Sequence, residues 1–182
     1  MGRKSSFKRK RTRASFSIVA CGRAGGGALV VVAFFLPWLD YVAPTATARL
    51  AGLPSSGPVE GWRLPFFIGA LDNAWSSVLM GALTGRDLEP EVAWLVYLAP
   101  FIGLQALQGA LGRDHRGATV VRLLLNGLAG VLLLRRFLAI GEVEPPFGIA
   151  VRPAMGLILT ILGHAVVATS ELAAISRRRL SS

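Results

Sequence analysis

The sequence predicts an all-α polytopic membrane protein, a bundle of four transmembrane helices with an amphipathic helix in a long first external loop. Four apolar stretches approach the roughly 20 residues that a membrane-spanning helix needs. They cover residues 24–41, 92–111, 118–138 and 153–173. Charged residues make up only 16% of the chain and the mean hydropathy is +0.55, whereas soluble domains carry about 25% charged residues. The composition therefore favours a membrane domain at residues 24–174.

The charged residues predict how this domain is oriented. The net charge of +10 is concentrated in two basic tails, residues 1–23 and 175–182. With both tails in the cytoplasm, four spans place 14 of the 20 Lys and Arg residues on the cytoplasmic side, as the positive-inside rule requires. Basic flanks of this kind contact anionic lipid headgroups. We therefore predict a multi-pass protein of a bacterial plasma (inner) membrane, with both termini cytoplasmic and no nucleic-acid partner.

The long segment between the first two spans, residues 42–91, is predicted to be the external loop. Within it, residues 63–84 place Leu64, Phe67, Leu71 and Trp75 at helical spacing on one face, with Asp72 nearer the other. This amphipathic pattern favours a helix on the membrane surface. A fifth span at this position is the alternative, but it leaves only 12 cations inside, which fits the charge rule less well.

Aromatic residues mark the outer boundary of the predicted domain. Tryptophan favours the membrane interface because its ring is apolar but carries one polar group. Four residues are predicted to be interface anchors, namely Trp38, Trp62, Trp75 and Trp94.

Polar residues within the spans are the candidate site, because each is costly in the membrane unless it has a partner. At 1.5 Å per residue, Asn126 and His164 lie at similar depth, with Gln105 slightly closer to the cytoplasm. We predict a polar cluster of Gln105, Asn126 and His164 that fixes helix register by hydrogen bonding. A ligand or proton site is the alternative, in which His164 binds a haem or pigment cofactor.

Two further features concern helix packing. Arg122 and Glu171 match in depth near the inner surface, which predicts an ion pair between the third and fourth spans. The glycine triplet at 25–27 is expected to loosen the inner turn of the first span.

No enzymatic motif is present. The sequence contains no Walker A loop, GxSxG, HExxH or CxxC motif, and the pattern predicts no catalytic residue, metal or cofactor. We therefore expect a non-enzymatic accessory or scaffold subunit whose partners are membrane lipids and other membrane subunits or further copies of itself. A small transporter or channel that uses the polar cluster is one alternative, and a haem- or pigment-binding subunit is another.

The residues Phe34-Phe35-Leu36-Pro37-Trp38 resemble the FLPW-type signature of small bacterial four-span membrane proteins. These proteins share a basic N-terminus, a long first external loop and glycine-bearing later helices. The resemblance implies the architecture of the chain and no activity.

Overall fold

The computed structural model describes residues 11–50, 52–70, 95–112, 115–140 and 149–179 of the 182-residue chain. This part is mostly helical, with one small sheet. In chain order the elements are α1 (Arg11–Ala33), β1 (Pro37–Val42), α2 (Thr45–Leu50), β2 (Ser56–Glu60), a 3₁₀ turn (Gly61–Arg63), α3 (Leu64–Ala70), α4 (Leu98–Leu111), α5 (Arg116–Ala139), β3 (Ala150–Pro153) and α6 (Met155–Arg179).

The four longer helices α1, α4, α5 and α6 pack side by side. Helix α1 lies between α4 and α6, and α5 packs on the other side of α6, while α4 and α5 contact each other much less than these pairs do. Chain-adjacent helices of this group run antiparallel. Two of the four, α5 and α6, are long and apolar enough to cross a membrane, and the apolar parts of α1 and α4 (Ile18–Ala33 and Leu95–Leu111) are shorter.

The glycine triplet does not loosen α1, contrary to the expectation from the sequence. All three residues are helical, and two of them form the crossing points with neighbouring helices. A Cβ on Gly26 would lie 2.8 Å from the carbonyl oxygen of Gly163 in α6, and one on Gly27 would lie 2.6 Å from that of Gly103 in α4. Glycine is therefore needed here because it lets helix backbones come into direct contact.

Helix α1 differs at both ends from the predicted first span, residues 24–41. Helix α1 begins by Arg11 and ends at Ala33, and residues from Pro37 form a strand instead of a last helical turn. Proline has no N–H group, and it disfavours helical backbone at the residue before it, here Leu36. At the other end, Arg23 was treated as a flanking charge, but it is a buried residue within the helix.

The all-α prediction is also corrected by a three-stranded antiparallel sheet of order β2-β1-β3. Leu39 of the central strand β1 pairs with Val59 of β2 and Pro153 of β3. Because β1 follows α1 and β3 precedes α6, the sheet joins the ends of these two helices. The buried Tyr41 hydroxyl donates to the Pro54 carbonyl at 3.1 Å, and burial raises the pKa of this phenol against the opposing effect of Arg63.

The remaining predicted segments compare with the structure as follows. The predicted span 92–111 corresponds to α4 and a preceding 3₁₀ turn from Leu95, while residues 92–94 lie outside the described residues. The predicted spans 118–138 and 153–173 correspond to α5 and α6, although β3 occupies the residues up to Pro153. Of the predicted surface helix 63–84, the structure describes α3, and residues 71–84 are outside the described ranges.

Candidate functional site

A stripe of buried polar residues runs along the interface between α5 and α6. The residues are three, four or seven positions apart, so each set lies on one helix face. Helix α5 contributes Thr119, Arg122 and Asn126, and α6 contributes Thr160, His164 and Glu171. Such groups are costly to bury unless they have partners, so their hydrogen bonds decide what the stripe does.

Glu171 is the centre of the stripe and is completely buried. Arg23 of α1 binds its carboxylate with two donors, Nε to Oε1 at 2.9 Å and Nη2 to Oε2 at 2.6 Å. Arg122 of α5 donates from Nε to Oε1 at 2.7 Å. The carboxylate therefore accepts three charge-assisted hydrogen bonds, which are about twice as strong as neutral ones.

The same centre also includes α4. Arg23 donates from Nη1 to the carbonyl oxygen of Gly109 at 3.2 Å. A Cβ on Gly109 would lie 2.7 Å from Cζ of Arg122, so the guanidinium occupies the space that a side chain would need. All four long helices thus meet at one ionic centre, which we call the Glu171 centre and which consists of Arg23, Gly109, Arg122 and Glu171.

Two helical turns before Glu171 on α6, His164 forms a second polar contact, with Asn126 of α5. Asn126 donates from Nδ2 to the Arg122 carbonyl at 2.9 Å, which turns its Oδ1 toward His164 Nδ1, also at 2.9 Å. A carbonyl oxygen only accepts, so Nδ1 of His164 must carry the proton. The Asn126 amide therefore selects the Nδ1–H tautomer, and Nε2 is buried without a hydrogen-bond partner among the described residues.

The structure brings together two of the three residues in the predicted polar cluster. Gln105 does not join Asn126 and His164: its side chain is exposed and lines a cavity between α4 and α5. The reason is rotational, since matching depth along neighbouring helices does not fix which way a side chain faces. The predicted pair Arg122–Glu171 is present at 2.7 Å, with the two side chains 9% and 0% exposed.

The predicted interface anchors differ in how exposed they are. Trp38 is 3% exposed and donates from Nε1 to the Ala33 carbonyl at 2.9 Å, so it is a core residue and not an anchor at the surface. Its ring packs directly against Gly61 and Gly156, and a Cβ on either glycine would lie within 2.8 Å of a ring atom. Trp62 is 41% exposed. The other two predicted anchors, Trp75 and Trp94, lie outside the described residues.

Arg23 is the residue of this site that the sequence pattern did not predict. Its partner Glu171 lies 148 residues away, and a cation at the edge of an apolar run was interpreted as a flanking charge. The sequence does contain a clue that Glu171 has a further cationic partner. Glu171 is the one acidic residue between Arg152 and the end of the chain, and a buried carboxylate can accept from more than one cation.

The arrangement is suited to holding helices together. Fully buried as it is, His164 offers no open face for a planar haem or pigment ring. Within the described ranges, no group of three or more His, Cys, Asp and Glu residues is placed to hold a metal ion.

Comparisons with known proteins give no relationship: no protein-family model matches the chain, and neither a curated protein nor a solved structure matches it.

Proposed function

We propose that the protein is a non-enzymatic integral membrane protein that crosses a bacterial plasma membrane four times and serves as an accessory or scaffold subunit of a larger membrane complex. The observation that carries this proposal is the inverted polarity of the helices. Charged and polar side chains are buried between them alongside apolar ones such as Val30 and Val167, and many large apolar side chains lie on the outside.

Helix α5 shows the inversion most clearly. Only 17% of the 18-residue apolar stretch of this helix is buried inside the protein. In water each exposed Leu or Val side chain would forgo about 1.5–3 kcal/mol of burial energy, and a continuous patch of them marks a lipid or partner surface. The exposed apolar residues of α5 are Val120, Val121, Leu124, Leu128, Val131, Leu132, Leu134 and Leu138.

The state of the buried polar groups favours a structural role over transport. A proton or ion pathway needs groups that can exchange partners through the membrane. Here Glu171 is held by three donors, and both polar atoms of the Asn126 amide are engaged. These contacts fix the helices relative to one another, and the apolar exterior of α5 is then the surface offered to a partner subunit.

Cysteine labelling tests the membrane topology. In a Cys21→Ala background we expect Ser56→Cys, in β2, to react with an impermeant maleimide in spheroplasts. Ser181→Cys, in the C-terminal tail, should react only after lysis. Labelling of Ser181→Cys in intact spheroplasts would contradict four spans with both termini inside, and recovery of the protein in the soluble fraction would contradict membrane insertion altogether.

Site-specific photocrosslinking tests the subunit role. A benzophenone amino acid at Leu128, which is 61% exposed on α5, should give a discrete protein adduct in native membranes. Leu172 on α6, 51% exposed, is the matched control and should give lipid adducts alone. If the Leu128 position also yields lipid adducts alone, and the protein purifies in mild detergent as a lone monomer, the subunit proposal is wrong.

A further inference from the structure

A cavity of about 400 Å³ lies between α4 and α5, which pack against each other much less closely than α1 packs on α4 or α6. Its floor is buried and consists of Gly109 and Arg122, while the other lining residues are exposed. The cavity therefore opens sideways, on the surface of the helix bundle, beside the Glu171 centre. The exposed lining residues are Gln105, Gln108, Gly112, His115, Ala118 and Val121.

The lining is rich in hydrogen-bond donors. The Gln105 and Gln108 amides are one turn apart on α4, and His115 precedes α5. Both amide side chains are exposed on the surface of α4, although polar side chains within a membrane need a partner. The guanidinium of Arg122 adds a charged donor at the floor. Two amides, an imidazole and a guanidinium together match the acceptor oxygens of a phosphate group.

The surroundings indicate how the phosphate arrives. Farther along the same two helices, the outward side chains are large and apolar: Phe101 and Leu104 on α4, and Leu124 and Leu128 on α5, are 45–64% exposed. A molecule with a phosphate in the cavity and hydrocarbon chains along this surface would match both regions.

We propose that the cavity binds the phosphate headgroup of an anionic phospholipid from the inner leaflet. This proposal rests on the proposed placement of the protein in the membrane. The Gln105 and Gln108 amides and His115 contact the phosphate oxygens, and Arg122 provides the positive charge while its Nε continues to bind Glu171. The occupied cavity fills the gap between α4 and α5, so the lipid completes a side of the bundle that the chain leaves loosely packed.

Native mass spectrometry of the full chain tests this. With equal amounts of dioleoyl phosphatidylglycerol and dioleoyl phosphatidylcholine in detergent, we expect wild type to retain the anionic lipid at least tenfold better. The double variant Gln105→Leu/Gln108→Leu should lose this preference, since it removes the amides but leaves the Glu171 centre untouched. Thr169→Val, which removes an exposed polar group from α6, is the control and should behave as wild type.

Three results would overturn the proposal: equal retention of the two lipids by wild type, an undiminished preference in the double variant, or displacement of the lipid by millimolar inorganic phosphate or glycerol 3-phosphate. The last result would identify a soluble phosphate as the ligand. Membrane fractionation of the same preparations separates this test from the proposed function, because a protein that stays in the membrane without any lipid preference disproves the lipid site alone.

Discussion

Gly25→Ala and Gly26→Ala add the same methyl group to adjacent residues of α1, and we expect opposite effects on the free energy of unfolding. Nothing lies within 4 Å of a Cβ on Gly25. Replacing a helical glycine by alanine gains about 1 kcal/mol from helix propensity, so Gly25→Ala should be neutral to stabilising. A Cβ on Gly26 would be 2.8 Å from the Gly163 carbonyl oxygen, closer than the roughly 3.3–3.6 Å of ordinary carbon–oxygen contacts.

The difference between the two variants isolates the steric effect, because the propensity gain is common to both and cancels. Overpacking of this kind costs about 1–3 kcal/mol, so Gly26→Ala should be less stable than Gly25→Ala by that amount. The measurement is reversible unfolding in mixed micelles with increasing dodecyl sulfate, followed by far-UV circular dichroism. Equal stability of the two variants would refute the close backbone crossing of α1 and α6.

Three other perturbations test the interior. Glu171→Gln should destabilise the protein by about 3–5 kcal/mol in the same assay, because two buried cations lose their counter-charge. Glu60→Gln, in the partly exposed ion pair of Glu60 with Arg63, should cost only about 0–1 kcal/mol, and equal losses would contradict a structural Glu171 centre. The ¹⁵N spectrum of His164 should show a protonated Nδ1, and Asn126→Leu should abolish that tautomer preference, so an Nε2–H form in wild type would disprove the hydrogen-bond assignment. Trp38→Phe removes the indole donor and should cost about 0.5–1.5 kcal/mol, and no change in the unfolding midpoint would mean that this hydrogen bond contributes nothing.

The sequence could predict the depth of each residue along its helix. Counting residues from the helix ends placed Arg122 beside Glu171 and Asn126 beside His164 at matching depths, because rise per residue is nearly constant. Rotation about the helix axis is set by packing, so the same count could not show that Gln105 faces the α4–α5 cavity.

The sheet was not predicted, for a different reason. Strand β1 contains Trp38, Leu39 and Tyr41 and directly follows an apolar helix, so its apolar residues extended the predicted span. One of its two partners is remote, since β3 begins at Ala150, and no local pattern signals such a pairing. Arg23 was missed in the same way, because its environment is created by a helix at the other end of the chain.

Arg23 and Glu171 are 148 positions apart in the chain, and this separation corresponds to a delay during synthesis. Ribosomes add about 5–20 residues per second, so roughly 7–30 s separate the synthesis of the guanidinium from that of its carboxylate. Throughout this interval α1 carries an uncompensated charge where the finished protein buries it. Because Glu171 is part of the final environment of Arg23, helix α1 reaches that environment only after the last helix has been synthesised.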